Sequence, residues 1–250
     1  MRGDAPDEAA RQLARSPNQR RPRVMYQRWE SLLFLHWRLP AARVQQTLPP
    51  GLTVDTFNGD AYLAVVPFFM RNVRPVGLPA VPWISHFLEL NVRTYAYDTD
   101  GIPGVWFYSL DCNQPIAVLA ARLMTGLRYL HATMSAQRGD VVDYMSQRRG
   151  TEQVARYRYR AVGEARVAAA DSLEFFLLER YYLFARRRER LVRAQVAHAP
   201  YEFRDAELER FSAVPAQLEG FTEIEGEPMH VCVSDGFDIN TYGIEKISGL

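Results

Sequence analysis

Apolar and polar positions fall into short blocks along this chain, and few blocks hold one period long enough for a long helix. The run WESLLFLHW at 29–37 is dense in aromatic and large aliphatic residues and too short for a helix, so it predicts a strand ending at Pro40. AARVQQTL, 41–48, reads as a short helix stopped by Pro49, Pro50 and Gly51. Residues 53–57 and 61–70 are β-rich and flank Asn58-Gly59-Asp60, which predicts a hairpin. The proline-rich stretch 73–83 predicts a semi-rigid rim. Strands at 86–97 and 105–110 follow, joined through Asp98-Thr99-Asp100-Gly101.

QPIAVLAARLMT, 114–125, has the propensity and apolar spacing of a buried amphipathic helix, with Gly126 as its stop. Three β-like runs come next, at 129–137, 140–148 and 154–162. Asp171 and Ser172 form an N-cap signal before LEFFLLER, with Glu174 at a capping-box position. Strands at 180–186 and 191–198 enclose the basic tip RRRER, which reads as a solvated hairpin end. A last strand at 229–234 leads into a tail with apolar Phe237, Ile239, Ile244 and Ile247. Strands outnumber helices and are joined by short turns. The pattern therefore predicts an α+β domain dominated by a curved antiparallel sheet, with two or three short helices. It spans 25–250, behind a flexible N-terminal arm, 1–24, too poor in aliphatics to offset the entropy of ordering.

Composition narrows the function classes. A hydrophobic fraction of 48% over 250 residues supplies a full core, and a formal charge of +1 gives no field for a nucleic-acid backbone. No run reaches the roughly 18–20 apolar residues of a membrane span, and no signal peptide is seen, so a cytoplasmic location is expected. Cys112 and Cys232 stand far apart and are expected as reduced thiols. Lys246 is the single lysine among 30 basic residues and lies near the C-terminus, which argues against a buried catalytic lysine. His36, His86, His131, His198 and His230 lack zinc spacing, and the Asp98–Gly101 string lacks the terminal Glu of a calcium loop. Neither a metal nor a cofactor is expected. No G-x-S-x-G or glycine-rich phosphate loop occurs.

The most informative segment is ELNVRTY, 89–95. Strand alternation places Glu89, Asn91, Arg93 and Tyr95 on one face and Leu90, Val92 and Thr94 on the other. A solvent-facing strand would show this pattern too, but in a closed sheet the polar row would line a cavity. Glu89 and Arg93 would stand about 13 Å apart along the strand, so each needs a different partner or a ligand.

QRWESLLFLHW with LPPGL at 48–52, the strand ELNVRTY, and the run GVWFYSLDCNQPIAVLAARLMTGLRYLHA at 104–132 together resemble the YqjF-like family of uncharacterised bacterial proteins, within the acetoacetate-decarboxylase-like superfamily. The resemblance covers about 25–245 and implies a curved antiparallel sheet around a central cavity. In the decarboxylases a helix like 114–125 runs into a segment whose lysine forms a Schiff base. Here the matching segment is Gly126, Leu127, Arg128, Tyr129, Leu130 and His131, with Tyr129 at the lysine position. A phenol forms no imine, so Schiff-base decarboxylation is not expected. Glu89 matches the acidic residue of the decarboxylase cavity.

Two function classes stay open. One is a small-molecule binding protein whose cavity takes a carboxylate or carbonyl compound, with Asn91 and Arg93 as binding residues. The other is a lysine-independent lyase, isomerase or hydratase, with Glu89 as acid/base, Tyr129 or His131 as proton donor and Arg93 at the oxyanion. A structural or regulatory role is the remaining alternative. Aromatic-rich edge strands leave a homodimer open.

Overall fold

The computed structural model describes residues 5–17, 21–187 and 189–247. Thirteen strands and five short helices follow one another among these described residues. The first part runs α1 (Glu8–Leu13), β1 (Arg23–Pro40), α2 (Ala41–Gln45), β2 (Leu52–Val54), β3 (Asp60–Pro75), β4 (Phe87–Asp98), β5 (Pro103–Cys112) and α3 (Pro115–Thr125). The second runs β6 (Tyr129–Gln137), β7 (Val142–Arg148), β8 (Ala155–Val167), α4 (Leu173–Leu178), β9 (Tyr182–Arg187) and β10 (Arg190–Ala197). β11 (Glu202–Arg210), α5 (Val214–Gln217), β12 (His230–Tyr242) and β13 (Glu245–Lys246) complete it.

All strands belong to one sheet that closes on itself twice. One ring passes through β5-β6-β7-β8-β11-β12-β1-β3-β4 and back to β5. A second passes through β5-β9-β10-β12-β1-β3-β4. The two barrels share the wall β12-β1-β3-β4-β5, of which β4, nearly all of β5 and the central parts of β1 and β3 are buried on both faces. Alternate residues of each wall strand therefore enter different cores. Leu33, Leu35, Val65, Leu90 and Val92 pack with Tyr144, Tyr157 and Tyr159 in the first barrel. Leu32, Phe34, Val66, Phe68 and Phe107 pack with Tyr201 and Phe203 in the second. Burial on both faces is why these strands read as near-continuous apolar runs. β4 is buried throughout, which excludes a solvent-facing polar row at 89–95.

Close strand approach makes the rings fit. Gly236 on β12 faces Glu30 on β1 at φ 129, and a Cβ there would stand 2.2 Å from the Trp29 carbonyl oxygen. No side chain fits, so glycine is required.

The antiparallel expectation holds for most pairings, but β5 lies parallel to both β6 and β9. The connection from β5 to β6 is a crossover through α3, not a short turn. The expected hairpin of 53–57 with 61–70 reduces to one bridge between Phe57 and Asp60, while β2 pairs with β4 instead. The reason is Asp55, whose carboxylate turns inward to meet Arg180 and Arg11. α3 is not a buried helix: Val118 alone is buried, and Leu119 and Leu123 are 61% and 68% exposed. Ser172 caps α4 through the Phe175 N–H, which leaves Glu174 one position short of a capping box. The segment expected as an arm carries α1, held to the domain by Arg11 on Asp55 and by Gln195, whose amide donates to the Ala14 and Ser16 carbonyls. Polar anchoring here replaces the apolar burial that the segment lacks. β1 and β3 sit inside the wall, and the short β2 and β13 end the sheet. No helix among the described residues is long and apolar enough to cross a membrane.

Candidate functional site

A cavity of about 290 Å³ lies in the second barrel. Its walls come from the inward residues of the shared strands, from β9 and β10, and from α3, which covers one side with Ala117, Ala120, Ala121, Met124 and Thr125. Trp29, Met70, Phe87, Phe107, Leu110 and Leu183 make most of the remaining wall apolar. Glu89, Asn91 and Tyr129 also line it.

Glu89 reaches this space because it is an inward residue of β4, paired to Phe68 and Cys112. Its backbone carbonyl accepts a hydrogen bond from the Tyr144 hydroxyl at 2.8 Å, which ties the strand to the first barrel. Its carboxyl oxygen accepts the Tyr129 hydroxyl at 2.9 Å. Burial pushes the Glu89 carboxyl up to about 8, and the single hydrogen bond from Tyr129 offsets that only in part. Burial, and secondarily Glu89 itself, also raise Tyr129 well above the ordinary phenol range. At neutral pH both groups carry their protons.

Tyr129 is delivered by the α3–β6 junction. Gly126 ends α3 in the left-handed region at φ 76, and a Cβ on it would lie 2.7 Å from the Arg186 carbonyl oxygen. The chain then enters β6 with Tyr129 beside Leu110, and Arg122 Nε donates to the Tyr129 carbonyl at 2.5 Å. Gln114 caps the other end of α3 through the Ile116 N–H and donates to the Trp83 carbonyl at 2.6 Å. The expected rim is thus fastened to the helix, and its Val73 and Pro75 line the cavity.

The structure brings Glu89, Asn91 and Tyr129 together and places the other two candidates elsewhere. His131 is half-buried on β6, pairs with Cys112 and does not line the cavity. Arg93 faces the same barrel as Glu89 but lies one inward position past Asn91, beyond the lining, against the rings of Phe34 and Tyr95. Asn91 Oδ1 is buried and has no hydrogen-bond partner among the described residues. The cation that does line the cavity is Arg193, whose charge is met by Asp98, Asp100 and Glu245. Lys246 is exposed on β13 and does not line it. Among the described residues no group of His, Cys, Asp and Glu is arranged to hold a metal ion.

Sequence reading missed the α3 wall and the β1 residues Gln27 and Trp29. A signal existed for α3: Ala117, Ala120 and Ala121 recur at helical spacing, a stripe too small to fill space opposite a sheet. For Gln27 and Trp29 nothing local marks them, since only ring closure turns them inward.

A family model of uncharacterised conserved proteins, DUF2071, matches residues 26–238. The uncharacterised protein YqjF of Bacillus subtilis is 35% identical over 208 residues, 82% of this chain and 86% of that protein. Among solved structures, an acetoacetate decarboxylase-like enzyme from Sphingomonas wittichii superposes with a TM-score of 0.63 at 17% identity, covering 94% of this chain and 97% of that one. Acetoacetate decarboxylase from Legionella pneumophila gives 0.62 at 12% identity, with coverages of 94% and 92%. The enduracididine biosynthesis enzyme MppR, complexed with pyruvate, gives 0.61 at 14% identity, with 91% of each chain covered. At these identities the superpositions speak for the fold alone. The match over most of the sequence and the identity to YqjF make this chain a member of the DUF2071 family, built on the acetoacetate-decarboxylase-like fold.

Proposed function

We propose that the protein binds a small, largely apolar carbonyl or carboxylic compound in the second barrel, with the polar end of that compound at Glu89, Tyr129 and Asn91. The observation that carries this reading is the buried Glu89 carboxyl, hydrogen-bonded to Tyr129, pushed up to about 8 by burial and opening on a mostly apolar cavity. A neutral carboxyl held by Tyr129 in a low-dielectric pocket suits a carbonyl oxygen or a protonated acid, and the unpartnered Asn91 oxygen suits a hydroxyl or acid proton. The pyruvate complex of MppR, in the same fold, supports an oxo acid as the first class to try. The absence of lysine from the lining speaks against imine chemistry at this site. The free, buried thiols of Cys112 and Cys232 accord with a cytoplasmic setting.

The same observation favours a second reading, lysine-independent proton transfer. A carboxyl that titrates at about 8 is matched to donating and recovering a proton near neutrality. Glu89 would be the acid and base, and Tyr129 would hold the carbonyl oxygen. This makes the protein an isomerase, hydratase or lyase of an enolisable compound.

The test is a thermal-shift screen of oxo acids, hydroxy acids and enolisable ketones on wild type, Glu89→Gln and Tyr129→Phe, with borohydride added in parallel. A stabilising compound whose effect shrinks in both variants, without trapped adduct, is expected. Equal stabilisation of all three proteins would remove Glu89 and Tyr129 from the site. Solvent deuterium exchange into the bound compound, lost in Glu89→Gln, would select the enzymatic reading over simple binding.

A further inference from the structure

Past the end of the cavity the second barrel holds another set of buried polar groups, and one guanidinium among them has no carboxylate partner among the described residues. Arg93 is 5% exposed, with its guanidinium 5.4 Å from the centroid of Phe34 and 6.0 Å from that of Tyr95. Its Nε and Nη2 are buried and have no hydrogen-bond partner among the described residues. These two atoms form the forked edge of the guanidinium, the edge that grips an anion with parallel N–H bonds.

The carboxylates in this region are already engaged. Asp55 is shared by Arg11 and Arg180, each at 2.6 Å. Glu179 accepts the Tyr201 N–H at 2.8 Å and the Tyr181 hydroxyl. Arg180 stacks on the rings of Phe176 and Tyr95, at 4.3 and 5.1 Å, and its Nη2 is also buried without a partner. Neither carboxylate is bonded to Arg93, which forms no ion pair among the described residues. The neighbouring histidines supply no counter-charge. His36, bonded through Nε2 to the Tyr95 hydroxyl at 2.8 Å, is held well below its ordinary range by burial, then by His230 and Arg93. His198 is pushed down to about 4, chiefly by burial. Arginine cannot shed its proton to escape the cost of burial, so an unmatched guanidinium calls for a counter-charge.

We propose that the Nε/Nη2 edge of Arg93 is a binding site for a small monovalent anion, a halide or a compact carboxylate such as formate, separate from the ligand cavity. The one unpartnered guanidinium edge sets the valence. The ring packing of Phe34 and Tyr95 sets the size, since a bulky anion would have to displace the core. The site is structural: it neutralises the cluster through which Asp55, Arg180 and Arg11 of α1 are joined.

The probe is chloride, then bromide and formate, titrated at constant ionic strength against gluconate while the unfolding midpoint is read. Wild type is expected to show a saturable rise, about 5–10 °C at a hundredfold excess over Kd, and Arg93→Met none. Glu89→Gln should retain the full rise, which separates this site from the cavity reading. An identical anion response in wild type and Arg93→Met, or no response in wild type, would overturn the proposal. Should Arg93→Met not fold, bromide-soaked crystals of wild type decide. An anomalous peak within about 3.5 Å of Nε and Nη2 supports the site, and its absence rejects it.

Discussion

Glu89 keeps its proton at neutral pH because the wall strand that carries it is buried on both faces, and this makes its charge state a stability variable. Its ordinary carboxyl value of 4.5 applies to the unfolded chain and about 8 to the folded one. Below 4.5 both states hold the proton. Between 4.5 and 8 only the folded state does, so stability falls as pH rises through that window and levels off above it. The interval from 6.5 to 8 lies within that window, and the histidines and Asp111, which still titrate at its lower end, are common to wild type and Glu89→Gln and cancel in their difference. There wild type is expected to lose on the order of 2 kcal/mol relative to Glu89→Gln. Denaturant midpoints at pH 6.5, 7.25 and 8 measure this, and parallel slopes for the two proteins would refute it. His198 acts with the opposite sign. Its folded value is about 4 against 6.5 unfolded, so it costs stability as pH falls from 6.5 toward 4. It is wedged between Tyr181 and Phe237, at 4.5 and 4.8 Å. His198→Phe should therefore keep the packing and gain about 1–3 kcal/mol on wild type at pH 4.5, with little difference at pH 7.5. An acid midpoint unchanged by the substitution would show that His198 stays solvated. Of these residues only the face of Glu89 was legible in the sequence. Its proton affinity was not, because the burial around its carboxyl is made by α3, Tyr129, β9 and β10, far along the chain.

At the scale of elements, α3 and its Gly126 stop decide whether the cavity exists. The spacing in 114–125 located the helix and its ends but misassigned its surroundings. The periodicity of an amphipathic helix says which residues share a face, not whether that face meets packed atoms or a ligand space. Here the small stripe faces the cavity while Leu119 and Leu123 are exposed, so α3 is a cover with an apolar outer side. Two expectations follow from this geometry. Ala121→Trp should fill the cavity and abolish ligand-induced stabilisation while the unfolding midpoint without ligand stays within a few degrees. Retained ligand response in that variant would place the ligand elsewhere. Gly126→Ala should be worse for the fold, by about 1–3 kcal/mol or more, because it combines a left-handed backbone with a clash on the Arg186 carbonyl. The parallel placement of β6 beside β5 depends on this turn. That placement was hidden in the sequence because a crossover is recognised by where its second strand lands.

Across the whole molecule, two barrels share one wall, and the strands of that wall explain both what could be read in advance and what could not. LLFLHW in β1 and LAVVPFFM in β3 lack the alternation of a one-sided sheet, which correctly marked them as strands. The second closure escaped notice because it rests on a few pairings between distant strands, β10 with β12 and β5 with β9. β11 was missed for the opposite reason: EFRDAELER is so rich in charge that it reads as a loop, yet Arg160 with Glu207 and Arg166 with Asp205 pair it with β8. A shared wall forbids either barrel from melting alone, since removing one core exposes the apolar back of the other. Leu90 faces the first core and Phe68 the second, and both are buried to within 1%. Leu90→Ala and Phe68→Ala should each cost about 2–5 kcal/mol. Each should lower one cooperative transition, with far-ultraviolet circular dichroism and tryptophan fluorescence coincident. Leu90→Ala in particular should weaken ligand-induced stabilisation little, because its side chain points away from the cavity. If either variant split unfolding into two steps, the wall would have to belong mainly to one barrel. The second ring would then be an appendage that opens independently, and α3 with Glu89 and Tyr129 would open with it.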